Sequence, residues 1–263
     1  MTGTSKTGLI LQERDRRLLR ELGVMRVIDR EQAKCVGGFG SITRVNSRLL
    51  GLTRAGILRR FFIGTDARGM KAIYTLTREG EKLSGDTQPG LRRRGNEVLV
   101  ADFFVTHQHH INVIYCLLKF RPVPLAEVRF LRWVSFREPL ESGCSLVPDG
   151  YMEIAQRERM LAAFLEVDLG TEAPSVWRKK VQEYVSYAVA GHAAKKFGHA
   201  QFRVLAITNS DQRAASLRTA TTALTDKIFW FTTFEFIRHE GFWSPIWQRP
   251  KDDSRRALVE PQP

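Results

Sequence analysis

Cysteine and long apolar runs are both scarce in this chain. Three cysteines occur among 263 residues, and none of them stands in a C-x-x-C pair. Their spacing predicts neither a zinc site nor a disulfide framework, so a reducing cytoplasm is the expected compartment. The sequence has no uncharged apolar run of about 18 residues, and its N-terminus lacks an apolar segment followed by small residues. We therefore expect a cytoplasmic protein that neither spans a membrane nor carries a secretion signal.

Acidic residues are few relative to basic ones, and the imbalance is uneven along the chain. The sequence has 41 Lys and Arg against 28 Asp and Glu, a net charge of +13. Residues 1–95 hold 20 basic and 9 acidic residues, a net charge of +11, whereas residues 96–263 hold 21 and 19, a net charge of +2. This asymmetry predicts a module that binds an anionic polymer, followed by a near-neutral globular domain.

Three helices are predicted in the first half of residues 10–85. Leucines at helical spacing begin the first helix, and Gly23 is expected to end it. Asp29 and Gln32 have the spacing of a capping box at the start of a second helix. After the glycine-rich break GGFG, Ser41 is placed to cap a third. Two short helices, a glycine turn and a third helix predict a helix-turn-helix.

Two strands and a last helix are predicted to complete this module. The runs RRFFIG and MKAIYTLT are strand-like, and TDARG between them suits a turn. Thr77 is expected to cap the final helix. This order predicts a winged helix, and the Y-x-L-T-x-x-G run at 74–80 resembles the end of the wing in many bacterial winged-helix regulators.

The third helix and the wing carry the residues predicted to contact double-stranded DNA. Ile42, Val45 and Leu49 recur at i, i+3 and i+7 and are expected to face the core. The outer face would then enter the major groove, while the wing tip would reach the adjacent backbone or minor groove. The predicted DNA contacts are Thr43, Arg44, Ser47 and Arg48 on the helix and Arg68 and Lys71 on the wing. An ordinary solvated basic face and a winged helix that binds a protein are the alternatives.

A change in composition marks the predicted boundary between the two modules. Residues 86–97 are rich in Gly, Pro and polar residues and include the run RRR, which either grips phosphates or is a solvated charge run. The second module is predicted to span residues 98–250. It begins with a long helix, continues with three strands, a second long helix and a strand, and ends with strand-like aromatic runs. The predicted buried stripe of the second long helix is Trp177, Val181, Tyr184 and Ala188, and Lys180 lies on the same stripe. Residues 251–263 are predicted to be a polar tail.

Acidic residues cluster at the ends of two predicted strands of the second module. Asp149 belongs to a PD pair, and Glu166 and Asp168 lie two residues apart in LEVD. Residues at i and i+2 of a strand point to the same face, so the two acids can share a site.

These elements and motifs resemble the PD-(D/E)xK restriction-endonuclease-like core, an αβββαβ arrangement. Together with the winged helix, the spacing PDG…LEVDLGTE…KVQEY resembles the replication-relaxation family, proteins of plasmids and integrative mobile elements. The resemblance covers residues from about 12 to about 247. It implies an α+β or α/β protein whose second domain is nuclease-like.

In an active nuclease of this kind, the resemblance implies that Asp149 and Glu166 bind a divalent ion such as Mg²⁺. Asp168 stands where the family pattern has lysine. Some nucleases of the wider fold carry this lysine on the following helix, so the resemblance suggests Lys180 as the catalytic lysine, with Lys179 as the second choice. The catalytic set is then Asp149, Glu166, Asp168 and Lys180. A non-catalytic domain that retains its acids is the preferred alternative.

The expected function is therefore that of a DNA-binding protein of a mobile element. It would regulate transcription or act at a replication or transfer origin, and two-fold operators favour a homodimer. The alternative is a metal-dependent DNA nicking endonuclease that the winged helix directs to its site.

Overall fold

The computed structural model describes residues 9–64, 69–85 and 98–259, which fall into two compact units. Unit 1 extends to Arg121, and unit 2 begins at Pro122. The predicted linker at 86–97 lies outside the described residues. Within the part of the chain that the structure describes, no helix combines the length and the apolar character needed to cross a membrane.

Unit 1 contains five helices and one hairpin among its described residues. The strands β1 and β2 pair in antiparallel fashion, with Leu58 opposite Leu76 and Gly64 opposite Met70. In chain order the elements are α1 (Glu13–Met25), α2 (Arg30–Gly37), α3 (Ile42–Arg54), β1 (Leu58–Gly64), β2 (Met70–Leu76), α4 (Arg78–Ser84) and α5 (Val98–Phe120).

Local side-chain caps begin three of these helices, as the sequence predicts. Asp29 and Gln32 form the capping box of α2. The Ser41 side chain accepts a hydrogen bond from the Arg44 N–H at the start of α3, and Thr77 accepts one from the Gly80 N–H at the start of α4. Each cap satisfies a backbone donor that the first helical turn leaves unpaired.

The prediction that Gly23 ends α1 is wrong. The helix continues to Met25 and ends at Arg26, which has a φ of 65° and donates its N–H to the Leu22 carbonyl. Leu22, Gly23 and Met25 are all buried. Packing of this last turn therefore outweighs the low helix propensity of glycine.

Polar contacts hold α5 against the helices of unit 1. The buried Asn112 donates to the carbonyls of Met25 and Val27 at 3.0 and 2.7 Å. Gln32 Nε2 donates to the His109 carbonyl at 3.0 Å, and Tyr115 donates its hydroxyl to Glu21 at 2.5 Å. The sequence predicts that this helix begins the second module, whereas in the structure it belongs to unit 1.

Unit 2 is built on a seven-stranded mixed sheet whose strands lie in chain order. The first three strands are antiparallel to one another, the third, fourth and fifth are parallel, and the last two are antiparallel. The strands are β3 (Val128–Val134), β4 (Gly150–Gln156), β5 (Arg159–Asp168), β6 (Arg203–Thr208), β7 (Phe229–Thr233), β8 (Trp247–Arg249) and β9 (Asp252–Arg256). The helices are α6 (Pro174–Val189), α7 (His192–Phe197), α8 (Asp211–Thr222) and α9 (Phe234–His239).

An aromatic core joins the sheet to α6. The predicted buried stripe of α6 is confirmed at Trp177, Val181 and Tyr184, which pack in one cluster with Phe164 of β5 and Phe229 of β7, whereas Ala188 is only partly buried against this cluster. The fold is therefore a mixed α+β fold, with helices at the N-terminus and a large mixed sheet, as the predicted class requires.

Three element boundaries in unit 2 differ from the sequence predictions. The aromatic run 228–237 is only half strand, because Thr233 caps a helix by accepting the Phe236 N–H. The second long helix divides at Gly191, which has a φ of 68°. Part of the predicted polar tail forms β9, where Trp247 lies opposite Arg256, and Leu258 is buried.

We expect Asn112→Ala to lower the free energy of unfolding by about 2–3 kcal/mol, because it leaves two buried carbonyls without their donor. Urea unfolding followed by circular dichroism measures the change. Asn46→Ala, on the exposed face of α3, is the matched control and should change stability by about 0.5 kcal/mol or less. Equal effects of the two substitutions would show that Asn112 does not hold α5 in place.

Candidate functional site

The outer face of α3 is polar and exposed. Val45 and Leu49 are buried against the rest of unit 1, which fixes the rotation of the helix. Thr43, Arg44 and Ser47 therefore point to solvent, as the sequence predicts. These three side chains form a continuous donor surface over about one helical turn.

Arg48, one turn beyond Arg44, is held by an internal ion pair. Its guanidinium donates Nε–H to Asp15 Oδ1 at 2.7 Å and also contacts Oδ2 of the same carboxylate. Its Nη2 donates to the Ile10 carbonyl at 2.7 Å. Asp15 is fully buried, and the Arg48 side chain is 19% exposed. Although it was predicted to contact DNA, Arg48 thus ties α3 to α1 in this structure.

A basic depression of about 360 Å³ lies beside the exposed face of α3. The Arg14 guanidinium lies 5.5 Å from the centre of the Phe39 ring at one side of it. Its lining residues are Gln12, Arg14, Phe39, Thr43, Arg44, Ser47 and Arg48. Three arginines around one depression give unit 1 a surface suited to an anion.

On the hairpin, Lys71 forms an ion pair with Asp29 at 3.4 Å. Asp29 also contacts His109 Nε2 at 2.8 Å. Burial raises the pKa of Asp29, but the His109 and Gln32 hydrogen bonds and the nearby charges outweigh burial and lower it to about 2. Lys71 nevertheless keeps 39% of its side chain exposed. Arg68 lies outside the described residues.

In unit 2, the sheet brings the three predicted acids to one end of β4 and β5. Asp149 directly precedes β4, and its Oδ2 accepts the Val167 N–H at 2.7 Å. Glu166 and Asp168 on β5 are 1% and 3% exposed. Both are contacted by side chains of the helices that follow β5 in the chain, so the predicted common face is confirmed.

Lys180 joins this group from α6. Its ammonium donates to Glu166 Oε2 at 2.9 Å and to Glu172 Oε1 at 2.7 Å. The Tyr184 hydroxyl donates to the other Glu166 oxygen at 2.6 Å. We call Asp149, Glu166, Glu172, Lys180 and Tyr184 the acidic centre. Lys179, the second choice for the lysine, points elsewhere, 3.9 Å from Glu183, and is 65% exposed.

Asp168 is bound to α8 and not to the acidic centre. Arg213 donates to it through Nε and Nη2 at 2.8 and 2.7 Å, and the Gly170 N–H donates at 2.7 Å. The carboxylate at the position of the family's lysine therefore serves as the partner of a helix. Sequence reasoning missed Arg213 and Glu172, for which no local pattern gave a signal. Tyr184 was foreseen only as a core residue, although its position four residues after Lys180 placed both on one face.

Burial determines the protonation of the acidic centre. It raises the pKa of Glu166 to about 7, because desolvation and the charge of Asp149 outweigh the stabilising contacts of Lys180 and Tyr184. Burial lowers the pKa of Lys180, but the Glu166, Glu172 and Asp149 carboxylates outweigh it and raise this pKa, so the ammonium stays charged. Burial also raises the pKa of Tyr184, which keeps its hydroxyl as a donor.

The acidic centre does not fit a resident divalent ion. Mg²⁺ requires several oxygen lone pairs that face it. Both Glu166 oxygens already accept hydrogen bonds from Lys180 and Tyr184, and Asp149 Oδ2 accepts the Val167 N–H. Among the residues that the structure describes, no group of three or more His, Cys, Asp or Glu side chains is arranged to hold a metal. The arrangement can instead neutralise buried charge and join β5 to α6.

We expect Glu166→Gln to remove a pH dependence of stability. Between about pH 4.5 and 7 folded Glu166 keeps a proton that the unfolded chain releases, so its contribution is full below pH 4.5 and is lost as the pH rises through 7. The stability of wild type relative to Glu166→Gln should thus fall by about 3 kcal/mol over this range. Urea unfolding at a series of pH values measures it, with Glu158→Gln in the exposed β4–β5 turn as control. If the free energies of unfolding of wild type and Glu166→Gln changed in parallel with pH, the raised pKa of Glu166 would be contradicted.

No curated protein matches the chain. Among solved structures, the crystal structure of Bacillus subtilis PadR in complex with operator DNA is 18% identical, with a TM-score of 0.22. That match covers 38% of this chain and 65% of the PadR chain. The model of the replication-relaxation family matches residues 17–201, well over half of the 263 residues, and the protein therefore belongs to the replication-relaxation family.

Proposed function

We propose that this protein binds double-stranded DNA through unit 1, in which α1 to α4 and the β1–β2 hairpin form a winged helix-turn-helix domain. The observation that carries the proposal is the exposed face of α3, where Thr43, Arg44 and Ser47 adjoin a depression lined with arginine. A helix with such a face is of the right width to enter the major groove. The net charge of +11 on residues 1–95 favours an anionic partner for this unit.

Each exposed residue has a role in this proposal. Arg44 reaches guanine edges or phosphates, and Thr43 and Ser47 donate hydrogen bonds to bases or phosphates. Lys71 on the hairpin contacts the neighbouring DNA backbone, and Arg68, in the sequence between the two strands, is assigned the same role. Arg48 acts indirectly, because its ion pair with Asp15 fixes how α3 is presented.

For unit 2 we propose a restriction-endonuclease-like core in a non-catalytic role. In unit 2 the order of β3, β4, β5, α6 and β6 follows the last five elements of the αβββαβ pattern, with β5 and β6 parallel, while the preceding helix α5 belongs to unit 1. The occupied oxygens of Glu166 support a structural role for the acidic centre. The whole protein would then act as a transcriptional regulator or as a replication or transfer-origin factor of a plasmid or integrative element, in the cytoplasm and as a homodimer on two-fold DNA sites.

We expect Arg44→Ala to weaken DNA binding about tenfold or more and to reduce the salt dependence of binding by about one counterion. Fluorescence anisotropy with a duplex selected from a random-sequence library, at several salt concentrations, measures both effects. Arg178→Ala, at an exposed position of α6, is the matched control and should bind as wild type does. Arg48→Ala is unsuitable here because it would leave the buried Asp15 unpaired. Unchanged binding by Arg44→Ala would exclude α3 as the DNA-reading helix and favour a protein partner.

A metal-dependent nicking endonuclease is the second candidate. The convergence of Asp149, Glu166 and Lys180, which the family resemblance suggested as catalytic residues, favours it. In that case the lysine would stabilise charge on the scissile phosphate.

We expect the wild-type protein with Mg²⁺ or Mn²⁺ to leave supercoiled plasmid intact, at the level of Asp149→Ala, because the Glu166 oxygens are taken. Agarose gels that separate supercoiled from open-circular plasmid provide the measurement. Nicking by wild type that disappears in Asp149→Ala would establish the endonuclease instead.

A further inference from the structure

The acidic centre of unit 2 contains a cation that belongs to the chain. Lys180 Nζ lies 2.9 Å from Glu166 Oε2 and 2.7 Å from Glu172 Oε1. Asp149 is close enough for its charge to act on both Glu166 and Lys180. Two carboxylates therefore share one ammonium. The other Glu172 oxygen is buried with no hydrogen-bond partner among the described residues.

The position of Lys180 is fixed by its neighbours on α6. It lies between Trp177 and Tyr184, which are 1% and 0% exposed, on the side of the helix that faces the sheet. Its own side chain is 23% exposed. An ammonium that swung out to solvent would leave oxygens of the buried Glu166 and of Glu172 without their hydrogen-bond donor, which is costly.

The remaining contacts of the centre are also those of donors. Tyr184 supplies an O–H to Glu166, and the Val167 backbone supplies an N–H to Asp149. A divalent ion needs the same oxygens as electron-pair donors, so it would compete with three donors that are part of the fold. The Lys180 ammonium supplies positive charge to the carboxylates, as a metal ion would, and the Tyr184 hydroxyl supplies a hydrogen bond.

We propose that the Lys180 ammonium is the permanent cation of the acidic centre and takes the place of a divalent metal ion. The centre then joins β5 to α6 by charge and does not recruit metal. This inference deepens the non-catalytic role proposed for unit 2 and is independent of DNA binding by unit 1.

Lys180→Met tests the proposal, because methionine removes the charge and keeps a side chain that can pack against Trp177. Glu166 and Glu172 would then lose the ammonium that pairs with them. We expect this variant to bind one Mn²⁺ with a dissociation constant on the order of 10⁻⁴ M, as open carboxylate sites do. Titration followed by the electron paramagnetic resonance of free Mn²⁺ measures the binding. Wild type and Lys180→Arg, which keep a cation, should show no saturable site in this range.

Further variants make each outcome decisive. Adding Glu166→Gln to Lys180→Met should abolish the new Mn²⁺ site. In about 10 mM Mn²⁺ the midpoint temperature of thermal unfolding of Lys180→Met should rise, while that of wild type should not change. If Lys180→Met is unfolded without metal, recovery of its far-ultraviolet circular dichroism in Mn²⁺ supports the proposal, and lack of recovery overturns it. Saturable binding by wild type that Asp149→Asn removes would overturn it, as would a folded Lys180→Met that binds no Mn²⁺. Anisotropy of Lys180→Met on DNA, expected to equal that of wild type, separates this result from the test of unit 1.

Discussion

A buried carboxylate on β5, the third of the seven strands, determines how unit 2 is organised. Glu166 is 1% exposed, and a carboxylate at such a position must find donors within the protein. Lys180 and Tyr184 supply them from positions one helical turn apart, which fixes both the rotation and the height of α6 over the sheet. The apolar stripe of α6 then meets the aromatic residues of β5 and β7. Two strand positions further on, Asp168 fixes α8 in the same way through Arg213.

Much of this arrangement follows from local sequence signals. The caps at Asp29, Ser41 and Thr77 depend on residues within three positions of each other, so the starts of α2, α3 and α4 could be predicted. The proximity of Lys180 to the acids could also be anticipated, because a lysine on an apolar stripe needs a carboxylate or a route to solvent. The resemblance to PD-(D/E)xK nucleases also suggested Lys180.

What the sequence could not give are contacts between distant residues and competition between local signals. Arg48 meets Asp15 across 33 positions, and no pattern in α3 separates its environment from that of Arg44. The run IFWFTTFEFI has the composition of a strand throughout, yet a single threonine cap turns its second half into helix. The strand β9 forms from polar residues because its partner β8 lies three residues earlier and a tight turn joins them.

The two hydrogen bonds from Asn112 to the carbonyls of Met25 and Val27 have a consequence for how the protein divides into autonomous pieces. These carbonyls flank Arg26, where the chain turns from α1 toward α2. A side chain of α5 therefore stabilises the corner, the connection between the first two helices, by hydrogen bonds. A fragment that ended after α4 would keep every element of the helix-turn-helix and lose the group that closes this corner. The compact unit that contains both helices and this side chain therefore extends through α5 to Arg121.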